Sequence, residues 1–146
     1  MIEIVIHNDY GEIARVNRAL DDLADEHALP ETLIQKLKTV IDELLGNVIM
    51  HGYADQQVHE ITTRIEITKN RLGVIITDDG VPFNPLDFPK PDVDLRLEDR
   101  KTGGLGIHIA RNLMDDMSYQ RRGVENVLTL VKEIRPSGRE GIKSDT

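Results

Sequence analysis

The chain of 146 residues has no cysteine and no tryptophan, and aromatic residues make up only 3% of it. Without cysteine there are no disulfides, no thiolate metal ligands and no cysteine nucleophile, a usage that fits a cytoplasmic protein. With so few rings, base-stacking platforms for single-stranded nucleic acid are not expected. Positive charge is scarce too: 18 basic residues face 26 acidic ones, a net charge of −8 that would repel a nucleic-acid backbone. No run approaches the roughly 20 apolar residues that cross a bilayer, so no membrane association is expected. The opening Met1-Ile2-Glu3-Ile4-Val5-Ile6 lacks the basic start and long apolar core of a signal peptide. There is no G-x-x-x-x-G-K-[ST], no G-x-G-x-x-G after a strand and no H-E-x-x-H, which argues against a P-loop, a dinucleotide fold and a zinc site.

What is present is an ordinary soluble-domain composition, 39% hydrophobic and 30% charged. Ile2, Ile4 and Ile6 alternate as in a short strand. Asn8 and Asp9 are good helix caps, with Glu12 placed for a capping box. Ile13, Val16, Leu20 and Leu23 then recur at helical spacing up to His27. Pro30 suits a first helical position, and the apolar stripe from Leu33 to Val48 carries a second helix to about His51, where Gly52 ends it. Strands are predicted over 61–68 and 72–77, then a functional loop from Pro82 to Lys101 with four prolines. A glycine-led helix and two strands, 117–121 and 126–134, complete one domain over residues 1–135. The polar tail 136–146 is expected to be disordered. The order β-α-α-β-β-loop-α-β-β predicts a two-layer α/β sandwich, one sheet with helices on one face.

Three clusters carry chemistry. In Lys101-Thr102-Gly103-Gly104-Leu105-Gly106, the glycines let the backbone approach a ligand closely, and the helix that follows offers free N–H groups and a positive dipole end to a phosphate. Glu43, Asn47 and His51 lie four apart and form one drifting stripe at the border of the second helix's apolar face. Two readings stay open there. The stripe is a helix-edge hydrogen-bond ladder, or Asn47 gives its neutral oxygen to a Mg²⁺ while Glu43, one turn earlier, is a general base. The third cluster, Asp78-Asp79-Gly80, follows a buried strand and precedes the long loop. A carboxylate there can accept the exocyclic amine of adenine, whereas the carbonyl that guanine carries at that ring position would be repelled.

Together, Glu43-x-x-x-Asn47-x-x-x-His51-Gly52-Tyr53, Asp78-Asp79-Gly80 and Gly103-Gly104-Leu105-Gly106 resemble the N-box, G1 box and G2 box of the GHKL ATPase superfamily. The likeness is greatest to bacterial anti-sigma-factor serine kinases of the RsbW and SpoIIAB type, through His51-Gly52-Tyr53, Asp79-Gly80-Val81-Pro82-Phe83-Asn84-Pro85 and the late strand Asn126 to Lys132. The resemblance implies a Bergerat-type ATP-binding fold with a mixed, mainly antiparallel sheet, and ATP with Mg²⁺ as cofactors. It implies that Asn47 binds the metal, that Glu43 is the base, and that Asp78 reads adenine with Gly80 letting the base approach. Gly104 and Gly106 would hold phosphate in a turn shared with Gly103 and Leu105, and Thr129 would be the late-strand hydroxyl that assists Asp78. The loop before the glycines would be the ATP lid, with Arg96, Arg100 or Lys101 as the cation that meets the γ-phosphate, and Pro82 stands where a second G1 glycine is commoner. The implied function is a homodimeric kinase that phosphorylates a serine of a STAS-domain anti-anti-sigma partner and sequesters a sigma factor. The alternatives are a non-catalytic ATP- or ADP-binding adaptor and the catalytic domain of a histidine kinase.

Overall fold

The computed structural model describes residues 1–87 and 105–134, the latter without the Leu105 side chain. Within them the chain forms β1 (Ile2–His7), α1 (Ile13–His27), α2 (Glu31–His51), β2 (Glu60–Ile67), β3 (Arg71–Asp78), α3 (Leu105–Leu113), β4 (Asp116–Arg122) and β5 (Glu125–Glu133). Short 3₁₀ turns at Tyr10–Glu12 and Pro85–Asp87 complete it. Residues 88–104, with most of the expected lid, its three candidate cations, Gly103 and Gly104, and the tail fall outside the described residues.

The helix signals operate with small shifts. Asp9 caps the first 3₁₀ turn, its Oδ1 accepting the Gly11 N–H at 2.9 Å. Glu12 reaches back to the His7 N–H at 3.0 Å, so the expected capping box closes on the strand instead. Pro30 is the cap of α2, one position before the expected first turn. Ala28 ends α1 in the left-handed region at φ 53, its N–H donating to Ala24 O.

The sheet order is β1-β2-β3-β5-β4, and each of its four pairings is antiparallel. The expected mixed character is therefore absent among the described residues. β4 runs parallel to β3, but the β4–β5 hairpin folds back so that β5 takes the place beside β3. A two-residue turn makes that pairing easy, whereas parallel neighbours need a crossover to bring them together.

The helices cover one sheet face, and their buried stripes meet its inward row. Val16 and Leu20 of α1, Leu37, Ile41 and Leu45 of α2, and Ile107 of α3 join Ile61, Ile65, Leu72, Val74 and Leu130 in one core. Burial alternates cleanly along β3 as Leu72, Val74, Ile76, Asp78 and along β5 as Asn126, Leu128, Leu130. Each of these two apolar rows thus terminates in a polar residue, and Asp78 pairs with Asn126 across the strands.

Candidate functional site

The end of the two rows is a closed polar knot. Asp78 and Asn126 are 6% and 5% exposed, so each needs internal partners. Asp78 Oδ1 accepts the Gly80 N–H at 2.8 Å and Asn126 Nδ2 at 3.0 Å. The Asn126 amide also donates to Val81 O at 2.9 Å. Its Oδ1 accepts the Phe83 N–H at 3.4 Å and the Tyr119 hydroxyl. Arg121 donates to Gly80 O at 2.7 Å and closes the turn from the outer strand. Burial pushes the Asp78 carboxyl above the usual carboxylate range, with the Asn126 and Gly80 hydrogen bonds opposing it. Its Oδ2 accepts no hydrogen bond among the described residues.

The turn is docked on the end of α2 by contact of backbone with backbone. Val81 N–H donates to Gly52 O at 2.9 Å. A Cβ on Gly80 would stand 2.7 Å from Gly52 O, and one on Gly52 would stand 2.5 Å from Val48 O. Gly52 has an ordinary helical φ of −79, so the need for glycine there is space, not a left-handed backbone. Gly80 serves this docking; its expected role was to let a base approach, and the close neighbour the structure gives it is Gly52.

Beside the knot opens a slot of about 410 Å³, its mouth included, walled by Leu44 and Val48 of α2, Ile76, Phe83 and Leu128, with Asp78 and Asn126 at its polar end. That lining, apolar walls with a few fixed polar groups at one end, is of the kind that takes a flat heterocycle. Glu43 and Asn47 directly precede the wall residues Leu44 and Val48 along α2. Asn47 is buried, and its Nδ2 donates to Glu43 Oε2 at 3.3 Å. Its Oδ1 accepts nothing among the described residues, which leaves a neutral oxygen of the kind a hard cation takes. The ladder and the open acceptor thus coexist.

Gly106 packs against the Glu43 member of that ladder. A Cβ there would run into the Glu43 side chain, so this glycine lets α3 sit directly over Glu43. Leu105 opens α3. His51, the third member of the stripe, is exposed and faces the Phe83 ring with centroids 6.2 Å apart, a packing contact at the slot's rim.

Thr129 does not assist Asp78. It stands opposite Ile75 and Ser118, three residues along β5 from Asn126, and the period of two turns it to the other face of the sheet. Asn126 fills the place expected of Thr129. The signal for it was available: Asn126 is in phase with Leu128 and Leu130, and of the two polar residues in that phase, Asn126 and Lys132, it is the one next to the start of the strand, level with the end of β3. Tyr119 and Arg121 carried no such signal, because β4 alternates only weakly between half-buried and exposed residues.

Residues 6–132 match the histidine kinase-like ATPase domain. The serine/threonine-protein kinase BtrW of Bordetella bronchiseptica is 30% identical over 95 residues, 65% of this chain and 67% of that protein. The serine-protein kinase RsbW of Bacillus velezensis is 28% identical over 126 residues, 82% of this chain and 77% of that protein. In fold the chain is similar to the crystal structure of the RsbU and RsbW domains of Rv1364c from Mycobacterium tuberculosis. The TM-score is 0.60 at 15% identity, covering 93% of this chain and 34% of that one. The chain belongs to the histidine kinase-like ATPase domain family, on the GHKL branch of the RsbW-type serine-protein kinases.

Proposed function

We propose that this protein is an ATP-dependent serine/threonine protein kinase that works as an anti-sigma factor, phosphorylating a STAS-domain anti-anti-sigma partner and holding a sigma factor. The observation that carries the nucleotide part is the unpaired Asp78 Oδ2 at the polar end of an apolar slot, one of whose walls is the helix that carries Glu43 and Asn47. The names of the curated relatives support the kinase part, since both are serine kinases.

In this reading Asp78 accepts the adenine amine, held in line by Asn126 and the Gly80 N–H, while Leu44, Val48 and Phe83 exclude water from the base. Asn47 offers Oδ1 to Mg²⁺, and Gly103, Gly104, Leu105 and Gly106 border the phosphates. When bound, Mg-ATP supplies the transferable phosphoryl group. Glu43 takes the proton of the incoming serine hydroxyl, and the Asn47 amide hydrogen-bonded to its carboxylate keeps that base oriented. A homodimer in the cytoplasm is part of the same proposal. No described helix is long and apolar enough to cross a membrane, which accords with it.

The test is incubation with γ-labelled ATP, Mg²⁺ and candidate STAS-domain proteins. Label on a partner serine is the expected result. Nucleotide binding with no label on any partner favours the adaptor reading.

A further inference from the structure

Outside the slot, one histidine is held between two carboxylates, and one of those belongs to the residue next to Asp78. His59 ends the connection between α2 and β2; its Nε2 lies 2.9 and 2.8 Å from the two oxygens of Asp55, and its Nδ1 lies 3.3 Å from Asp79 Oδ1. A neutral imidazole has a single N–H, so it can satisfy one carboxylate while turning a lone pair toward the other. An imidazolium donates to both. The Tyr53 ring stacks on it at 4.2 Å between centroids and 13° between planes, an aromatic face that favours a cation.

The backbone around this ring is pinned. His59 N–H donates to Asn8 Oδ1 at 2.9 Å, and Asn8 N–H donates to His59 O at 3.1 Å. The connection also passes through Gln56 at φ 58, a left-handed conformation that a non-glycine residue keeps only where its surroundings impose it. The groups facing the ring are Asp55 from the same connection, Asp79 from the turn after β3, the Tyr53 phenol, and neutral Asn8 from the segment after β1. The hydrogen bond to Asp55 leads in holding the imidazole above its ordinary titration range, against the effect of burial and with help from Asp79. The connection therefore grips the Asp78 turn at both of its ends, Gly52 on Val81 and His59 on Asp79.

We propose that His59 is a positioning residue for nucleotide binding: as the imidazolium it ties Asp79 to Asp55, holds the Asp78 turn in its binding geometry, and makes nucleotide affinity fall as pH rises through the titration of this ring. The proposal rests on the nucleotide reading of the slot. Its sign follows from the charge held in the folded protein. The clasp is complete below the ordinary histidine value of about 6.5 and is lost as pH rises through the higher folded value.

The experiment is calorimetric titration of MgADP at about pH 6 and about pH 8.5 into the wild type and into His59→Phe, which keeps a ring on Tyr53 but carries no N–H. Wild-type affinity is expected to be about fivefold weaker at the higher pH, the low end of usual site couplings. His59→Phe should lose that dependence. Whatever else depends on pH is common to the two proteins, so the difference between the two profiles is the readout. A purely structural role would weaken binding equally at both pH values and overturns the proposal, as does a His59→Phe profile identical to the wild type. If that variant does not fold, proton NMR of the His59 ring in the wild type decides. By reciprocity the ring must titrate at higher pH with MgADP bound, and an unmoved titration overturns the proposal. Failure of the wild type to bind MgADP at either pH removes the nucleotide reading itself and this inference with it. Binding without dependence on His59 removes the inference alone.

Discussion

The two ends of the site are built on different terms. At the Asp78 end, two adjacent strands supply a polar pair locked by register. Asn126 uses its amide and its carbonyl, Gly80 and Arg121 close the turn, and a single carboxylate oxygen is left over. At the Asn47 end, one helix carries the groups on its rim. They make a single 3.3 Å hydrogen bond to each other, and an amide oxygen is open. A sheet pair held on both sides fixes position and so suits recognition of one flat shape. In the proposed reading the helix rim serves a cation, phosphates and an incoming hydroxyl. Substitutions at the first end should therefore change what binds and how tightly, and substitutions at the second should change what happens to it.

The largest effect is expected at Glu43. Glu43→Gln keeps the shape and an acceptor for the Asn47 amide but removes basicity, so phosphoryl transfer should fall by about 10²–10⁴-fold with near-normal ATP affinity. Single-turnover transfer with a parallel ATP titration checks it; a wild-type rate would leave positioning and Mg²⁺ to carry the reaction. Next comes Asn47→Ala, which removes the open oxygen. The gain in ATP affinity that Mg²⁺ gives should disappear while the melting temperature drops only modestly, as titration with and without Mg²⁺ would show. An unchanged Mg²⁺ effect would reduce Asn47 to a partner of Glu43.

Asp78→Asn should weaken ATP binding by about 10–100-fold, the worth of about 1.5–3 kcal/mol for a hydrogen bond to a charged group, and relax discrimination against GTP. It should also act on stability in the opposite sense. Burial holds the folded-state carboxyl above its unfolded value, so the native state keeps a proton the unfolded chain has lost. Stability of the wild type therefore falls as pH rises from the unfolded value through the folded one. Asparagine retains an acceptor for Gly80 and Asn126 without that penalty. The nucleotide-free variant should melt no lower than the wild type above that window, and by about 1 kcal/mol higher if the exchange is well packed. A clear loss of stability near neutral pH would contradict a site strained for binding.

The smallest effects sharpen the contrast within β5. Asn126→Ala leaves Asp78 and the Tyr119 hydroxyl short of a partner and should cost about 1–3 kcal/mol, with ATP affinity falling alongside. Thr129→Val, on the opposite face, should stay within about 0.5 kcal/mol and leave affinity unchanged. Equal effects from the two would mean that the strand's phase has been misassigned.

That pair also shows what the sequence could and could not disclose. The α2 stripe, the Asp78 turn and the helix ends follow from local periodicity and capping, and they are legible because each is decided within a few residues. Asn126 and Thr129 differ only in phase, and which of them meets Asp78 depends on cross-strand register between segments 48 residues apart. The antiparallel neighbourhood of β3 and β5 is equally non-local, being set by a hairpin that folds over the β3 edge. Gly52, Gly80 and Gly106 could be read as turn and phosphate glycines. The close neighbour of Gly52 is Val48 O of its own helix, a local contact, whereas those of Gly80 and Gly106, the end of α2 and the Glu43 side chain, exist only once α2, α3 and the Asp78 turn have packed.

The division of labour between the two ends is tested most directly by single-turnover transfer to a partner serine at increasing Mg-ATP, run side by side on Asp78→Asn and Glu43→Gln. The expected result is that Asp78→Asn approaches the wild-type rate once enough nucleotide is supplied, while Glu43→Gln stays slow at every concentration. Recovery of Glu43→Gln at high Mg-ATP, or a persistent rate defect in saturated Asp78→Asn, would contradict a base-reading end separate from a phosphoryl-transfer end.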